Sequence, residues 1–257
     1  MKRIIIVIII GVLAAAFASA QNAVEIVERS RNRIQAQTTS TRSQMRITAR
    51  NGNVSERVID QYSKDNAQGN SRVLVVFQSP PSVAGTRFLT LENPGRANDQ
   101  WIFLPELGRV RRIAGAEGSG SFMGSDFSYD DIASVDRRTD VDDHRFLREE
   151  VFNGHNCHVI ESTPKDTGYQ YSRMIQWIDR ENYVSYQIEL YDRNGNYVKL
   201  LEVQELREVQ GRLAPIVTRM TSLAAGTFTT LNVVNLRYDD QIPETVFTIN
   251  FLETGRP

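Results

Sequence analysis

The chain has 257 residues, 40% of them hydrophobic, which is enough to bury one substantial core. Its 30 lysines and arginines nearly cancel its 31 aspartates and glutamates, so no global field draws it to nucleic acid or to an anionic membrane surface, and DNA and RNA are excluded as expected partners. The only cysteine is Cys157, which excludes an internal disulfide and leaves packing and strand pairing to hold the fold.

At the amino terminus, Lys2 and Arg3 precede an apolar run from Ile4 to Phe17 that ends in the small residues Ala18, Ser19 and Ala20. Charge, apolar length and the A-x-A-like end predict a secretory signal peptide over residues 1–20, cleaved before Gln21, with a mature domain over 21–257. The run is short of the roughly 20 residues that span a membrane. An uncleaved amino-terminal anchor is the alternative reading of the same residues. No cysteine lies near the cleavage point, so a lipid-modified terminus is not expected.

Val24, Val27, Ser30 and Ile34 recur at helical spacing, with Glu25, Glu28, Arg29 and Arg33 elsewhere on the wheel, which predicts an amphipathic helix at the start of the mature chain. The period then changes to two. Met45, Ile47 and Ala49 alternate with Gln44, Arg46 and Thr48, and Asn51 to Asn53 supplies a hairpin turn before a strand near Ser55 to Tyr62. "SRVLVVF", "FLTLE" and "WIFLP" read as further strands. Asn153-Gly154 separates "RFLREEVF" from "HNCHVIES", and "RNGN" from Arg193 to Asn196 separates "YVSYQIELYD" from "YVKLLEVQEL", as consecutive hairpins require. With "RMIQWID", "PIVTRMTSL" and "TFTTLNVVNLRY" the set is an antiparallel meander of roughly ten or more strands. A sheet of that size must curl or close, and one face needs cover, which the first helix can supply. No linker, repeat or long charge run marks a second domain.

The chemistry-bearing residues do not assemble into a convincing active site. In "HNCH", His155 and Cys157 point to one face of a strand and His158 to the other, so no more than two ligands converge and no metal is expected. Ser119, Ser121 and Ser125 lie in a glycine-rich stretch that lacks the G-x-S-x-G elbow, and all three histidines lie outside it. Gly115, Gly118, Gly120 and Gly124 match neither phosphate-binding glycine motif and lack a βαβ context. The acids Asp126, Asp130, Asp131, Asp136, Asp140, Asp142 and Asp143 lack EF-hand spacing. Glu189 and Glu202 are candidates for a carboxylate pair by position alone. No catalytic residue and no cofactor is therefore expected. What remains is the apolar inner surface of a curled sheet, which either packs solid or encloses a ligand. The residues expected to line such a cavity are Met45, Ile47, Val75, Phe77 and Phe88, then Trp101 and Phe103, and finally Tyr186, Ile188 and Leu190.

Trp101 to Asp131 carries a family resemblance. "WIFLPELGRVRRI" followed by "GSFMGSDFSYDD" resembles the outer-membrane lipoprotein-sorting proteins, a branch of the LolA/LolB-like carriers. The matching features are an aromatic strand ending in Leu104-Pro105, then Arg109, Arg111, Arg112 and Ile113, then Met123-Gly124-Ser125-Asp126 and Tyr129-Asp130-Asp131, with "PPSVAGTRFLTLE" ahead of them. The resemblance implies a mainly β fold, a single strongly curved antiparallel sheet or half-open β-barrel, with helices covering the concave side. It also implies a periplasmic carrier without chemistry, whose cargo is an acylated lipoprotein or a lipid and which touches membranes transiently. An inner-membrane transporter of the RND or ABC type is the implied partner, and an adaptor or sensor subunit of a lipid exporter is the alternative. Gly115 to Asp131 then reads as a lid or docking loop, with Gly118, Gly120 and Gly124 supplying its bends. In that reading Arg109, Arg111 and Arg112 pair with Asp126, Asp130 and Asp131 when the loop is closed, or with a lipid headgroup when it is open.

Overall fold

The computed structural model describes residues 22–134 and 137–256; the predicted signal peptide, its cleavage point before Gln21 and Asp136 lie outside them. Thirteen strands form one antiparallel sheet in the order β6-β5-β4-β3-β2-β1-β13-β12-β11-β10-β9-β8-β7. The sheet is not closed, because β6 and β7 are its two edges. The described residues divide into two compact units, one within 22–33 and 138–198 and the other within 34–134, 137 and 199–256.

The larger unit holds β1 (Thr38–Thr48), β2 (Val54–Asp65), β3 (Ser71–Ser79), β4 (Arg87–Leu91), β5 (Asp99–Leu104), β6 (Arg109–Ile113), β12 (Arg212–Ser222) and β13 (Thr227–Tyr238), with most of β11 (Tyr197–Val209). The predicted hairpin at Asn51 to Asn53 closes with Ala49 N–H donating to the Asn53 carbonyl at 2.9 Å, around Gly52 at φ +84°. β6 is an addition to the predicted set. Its sequence, RVRRI, reads as a basic run, yet charge is what an unprotected edge strand carries to discourage pairing with another chain.

Both faces of β3, β4 and β5 are covered, and register sorts their side chains. Ile59 stands opposite Phe77, Val75 opposite Phe88, and Phe88 opposite Ile102, so these residues share one face with Met45 of β1. Leu74 stands opposite Leu89, and Leu89 opposite Trp101, on the other face. There Leu74 and Leu89 pack with Ile242, Phe247 and Leu252 from a 3-10 turn (Glu244–Phe247) and a final helix, here α3 (Ile249–Thr254). Thr248 caps that helix, and Gly255, at φ +66°, ends it in the left-handed conformation that glycine adopts without a Cβ clash.

The smaller unit holds β7 (Asp142–Phe152), β8 (His155–Pro164), β9 (Tyr171–Asp179) and β10 (Ser185–Asp192), with the first helix, α1, over residues 22–31. The helix is where amphipathicity predicts it, but its buried stripe is Ala23, Ile26 and Val27, which pack on Ile160 and Ile178. Val24, expected on the buried side, is 37% exposed. The opposite face buries Cys157, Val159 and Trp177. In β8, therefore, odd and even residues serve different cores, as a strand with two covered faces requires.

Candidate functional site

The stretch that follows β6 folds back over the face that carries Met45, Val75, Phe77 and Phe88. It opens with a 3-10 turn (Gly115–Ser119), returns through a bridge between Ser121 and Ser128, and ends in the single helical turn α2 (Tyr129–Ala133). Phe122 N–H donates to the Phe127 carbonyl at 2.7 Å, and Met123 and Gly124, at φ +52° and +78°, form the tip. Ser128 starts α2 with a capping box: its hydroxyl accepts from Asp131 N–H at 2.9 Å, and the Asp131 carboxylate accepts from Ser128 N–H at 2.8 Å.

The tip delivers an aromatic side chain to the sheet. Phe122 is fully buried, with its ring 5.6 Å from that of Phe77, 5.3 Å from Phe88 and 5.4 Å from Tyr129. Ring pairs at such separations each contribute about 0.5–1.5 kcal/mol beyond the area they bury. Phe127 and Ile132 are buried beside them. The apolar layer is thus half strand and half cover.

Polar contacts fasten the cover at several points. Asp126, 7% exposed, accepts from the hydroxyls of Thr227 and Thr229, the latter at 2.7 Å, while its own N–H donates to Thr229 Oγ1 at 2.9 Å. Gln100 Nε2 donates to Asp130 Oδ1 at 2.7 Å, and Lys199 Nζ lies 2.9 Å from Asp131 Oδ2. Gly118 is required by this arrangement, because a Cβ there would stand 2.5 Å from Asp130 Oδ1. Arg57, on β2, donates to the Met123 carbonyl at the tip, with its guanidinium 5.9 Å from the Phe77 ring centre. Burial lowers its pKa. Sequence reasoning missed Arg57, since a lone arginine in a polar-alternating strand gives no signal.

The expected pairing of the basic run with the three acids is replaced by other partners. Arg111 pairs with Glu117 at 3.1 Å and Arg112 with Asp99, Arg109 is exposed, and Asp126, Asp130 and Asp131 take the partners named above. The reason is the edge strand: alternation along β6 and its pairing with β5 bring Arg112 alongside Trp101, two residues from Asp99.

The structure brings Met45, Val75, Phe77 and Phe88 together under the cover, with Ile47 on the same face opposite Thr229. Trp101 and Phe103 lie on the reverse face with the carboxy-terminal cluster. Ile188 and Leu190, opposite Gln176 and Met174, are in the smaller unit, where a bulge between Ser185 and Gln187 places Tyr186 against Cys157, Val159 and Trp177. Register, which the sequence does not display, makes these separations.

The histidines and the cysteine have partners of their own. His155 stacks on Tyr186 at 4.2 Å with Nδ1 3.1 Å from Asp179 Oδ2, and His158 meets Phe146 edge-on at 5.9 Å. His144 is buried between Ser162 Oγ at 2.8 Å and the Thr139 carbonyl at 2.9 Å. Burial, with a smaller contribution from the Asp179 and Glu150 charges, pushes the Cys157 thiol up to about 11.

Three solved structures share this architecture. The chain is 29% identical to a DUF1329 family protein from Desulfovibrio piger (TM-score 0.87) and 29% identical to an outer membrane lipoprotein-sorting protein domain from Vibrio parahaemolyticus (TM-score 0.86), in each case over 91% of this chain and 99% of the other. A LolA superfamily protein from Nitrosomonas europaea is 21% identical over the same shares, with a TM-score of 0.72, and shows the same fold. A family model described as "Uncharacterized protein" matches residues 69–254. The chain belongs to the family that this model describes. No curated protein sequence matches it. The matched segment contains Val75, Phe77, Phe88 and the whole cover, whereas Met45 and Arg57 precede it. The mainly β, unclosed antiparallel sheet is the fold class that the strand meander and the resemblance predict.

Proposed function

We propose that the protein is a non-enzymatic periplasmic carrier that holds an acyl chain of a lipid or lipoprotein against the face of Met45, Val75, Phe77 and Phe88 and moves it towards the outer membrane. The observation that carries this reading is Phe122. The centre of an apolar layer is filled by a side chain from a short, glycine-bearing segment fastened by polar contacts, not by a strand of the sheet. Lifting that segment exposes a ready apolar surface without breaking strand pairing. An acyl chain gains about 0.8 kcal/mol per buried CH₂, so a long chain can offset the loss of the contacts made by Phe122 and Tyr129. Arg57 fastens the tip through the Met123 carbonyl.

The names of the solved relatives support the cargo class, since one is a lipoprotein-sorting protein domain 29% identical to this chain. The leader-like first 20 residues support the periplasmic placement. In this reading residues 115–131 are the lid, opened by cargo, and Arg109, Arg111 and Arg112 on the adjoining edge strand are the contact for a headgroup or for a transporter in the inner membrane. Mass spectrometry of lipids that co-purify with residues 21–257, isolated without detergent, tests it, together with uptake of a fluorescent fatty acid. A bound acyl lipid in stoichiometric amount is expected. An empty protein that takes up no probe refutes the carrier and leaves the fold standing.

A further inference from the structure

The reverse face of the same strands carries a second concavity. Between the sheet and the carboxy-terminal segment lies a groove of about 400 Å³, within the roughly 300–1,000 Å³ usual for small-molecule sites. Leu74 and Val76 of β3 and Tyr62 of β2 form its floor, and Ile242, Val246 and Phe251 its roof. These side chains are apolar, or present an apolar ring, so the groove suits a hydrocarbon.

One wall is charged. Arg87, on β4, lines the groove and lays its guanidinium over the Phe103 ring, 4.4 Å from the centre. Its Nε donates to the Leu252 carbonyl at 2.7 Å and its Nη2 to the Glu253 carbonyl at 3.3 Å. Both acceptors are neutral, and among the described residues no carboxylate forms an ion pair with Arg87. Nη1 is directed at Gly255, also in the groove wall, where a Cβ would stand only 2.5 Å away. A guanidinium partly removed from water, with Nη1 left over once the two carbonyls are served, can make one charge-assisted hydrogen bond to an oxygen of an anion.

We propose that this groove binds a single-chain anionic amphiphile of the fatty-acid class, its carboxylate on Arg87 and its chain along Leu74, Val76 and Val246. The site is separate from the cover and does not depend on the carrier reading. Its consequence is a protein that senses or holds a free acyl anion on the face opposite the one under the cover.

Photolabelling locates the ligand. The full mature chain is irradiated with a hexadecanoic acid that bears a diazirine, and the labelled peptides are mapped by mass spectrometry. Adducts within 241–255 and 71–79 are expected, and a diazirine-bearing hexadecanol should give at least tenfold less there, the loss of one charge-assisted contact. Because Arg87→Gln also releases the last carbonyls of α3, Val246→Trp serves as the second variant, filling the groove from its roof without touching Arg87. Both variants should abolish the adducts at 241–255. Adducts confined to 114–133 overturn this site and leave the carrier standing, and adducts nowhere overturn this site. Equal labelling by acid and alcohol, or adducts at 241–255 that persist in Val246→Trp, also overturn it.

Discussion

Amide exchange in the wild type and in Phe122→Ala, compared between 115–131 and 71–79, separates a cover that opens by itself from one that opens only when the domain unfolds. Phe122 is fully buried and its ring meets three others at 5.3 to 5.6 Å. A buried Phe→Ala change costs about 3–5 kcal/mol through lost transfer energy and the cavity left behind. The cover is short and can settle into part of that cavity, so the low end, about 3–4 kcal/mol, is the expectation. If the cover lifts as a unit, every one of these contacts is lost in the open state. The whole cost then appears in the local opening equilibrium, and amide exchange across 115–131 accelerates by roughly 10²- to 10³-fold. Exchange in β3, whose strand pairing does not involve Phe122, should rise only as far as global stability falls. Hydrogen exchange with mass spectrometric readout, on wild type and Phe122→Ala at one pH and temperature, measures both. Exchange in 115–131 that is already as slow as in 71–79 in the wild type, both at the rate set by global unfolding, would show that the cover is an ordinary piece of core, and the reasoning that makes it a lid would fail.

Three further outcomes follow from the same geometry. Gly118→Ala places a Cβ 2.5 Å from Asp130 Oδ1 and should cost about 1–3 kcal/mol, most of which disappears in an Asp130→Ala background; a double-mutant cycle by denaturant unfolding checks this, and strict additivity would refute the clash. Hydrogen bonds from Arg72 and then Lys64 hold the Glu244 carboxyl at about 2, below its ordinary 4.5. Because the folded value is the lower one, the resulting stabilisation is complete above pH 4.5 and is lost as pH falls from there through about 2. Exchange in 244–254 should rise across that window in wild type but far less in Glu244→Gln, and identical profiles would dismiss the pairing as irrelevant to the segment. Cys157, fully buried and with its thiol raised to about 11, should react with a maleimide at neutral pH only as fast as the protein opens. Immediate stoichiometric labelling in native buffer would contradict its burial.

How much of this was legible depends on whether one face of a strand or both are buried. Where turn chemistry fixes the hairpins, at Asn51 to Asn53, Asn153-Gly154 and Arg193 to Asn196, the strands were readable, because positive backbone angles leave few residue choices. The faces were not. In β4 the neighbours Phe88 and Leu89 are both fully buried, one under the cover and one under the carboxy-terminal segment. Alternation therefore carries no sign, and grouping Phe88 with Trp101 and Phe103 was as consistent with the sequence as the grouping the register makes. The short helices escaped for a related reason. α2 and α3 span five and six residues, too few to display a 3.6 period, and only their caps, Ser128 with Asp131 and Thr248 with Gly255, announce them. The cover itself was legible as a glycine-rich break between an aromatic strand and an acidic cluster, yet its acids are fasteners: Asp126 to two threonines, Asp130 to Gln100, Asp131 to its own helix cap and Lys199. A sheet covered on both sides by segments that are not strands has two surfaces that can be uncovered without breaking a ladder. That is why the two proposed sites fall on opposite faces, one under the cover and one under the carboxy-terminal segment, and why the charge placed at each, Arg57 in the first and Arg87 in the second, is the feature by which experiment can tell them apart.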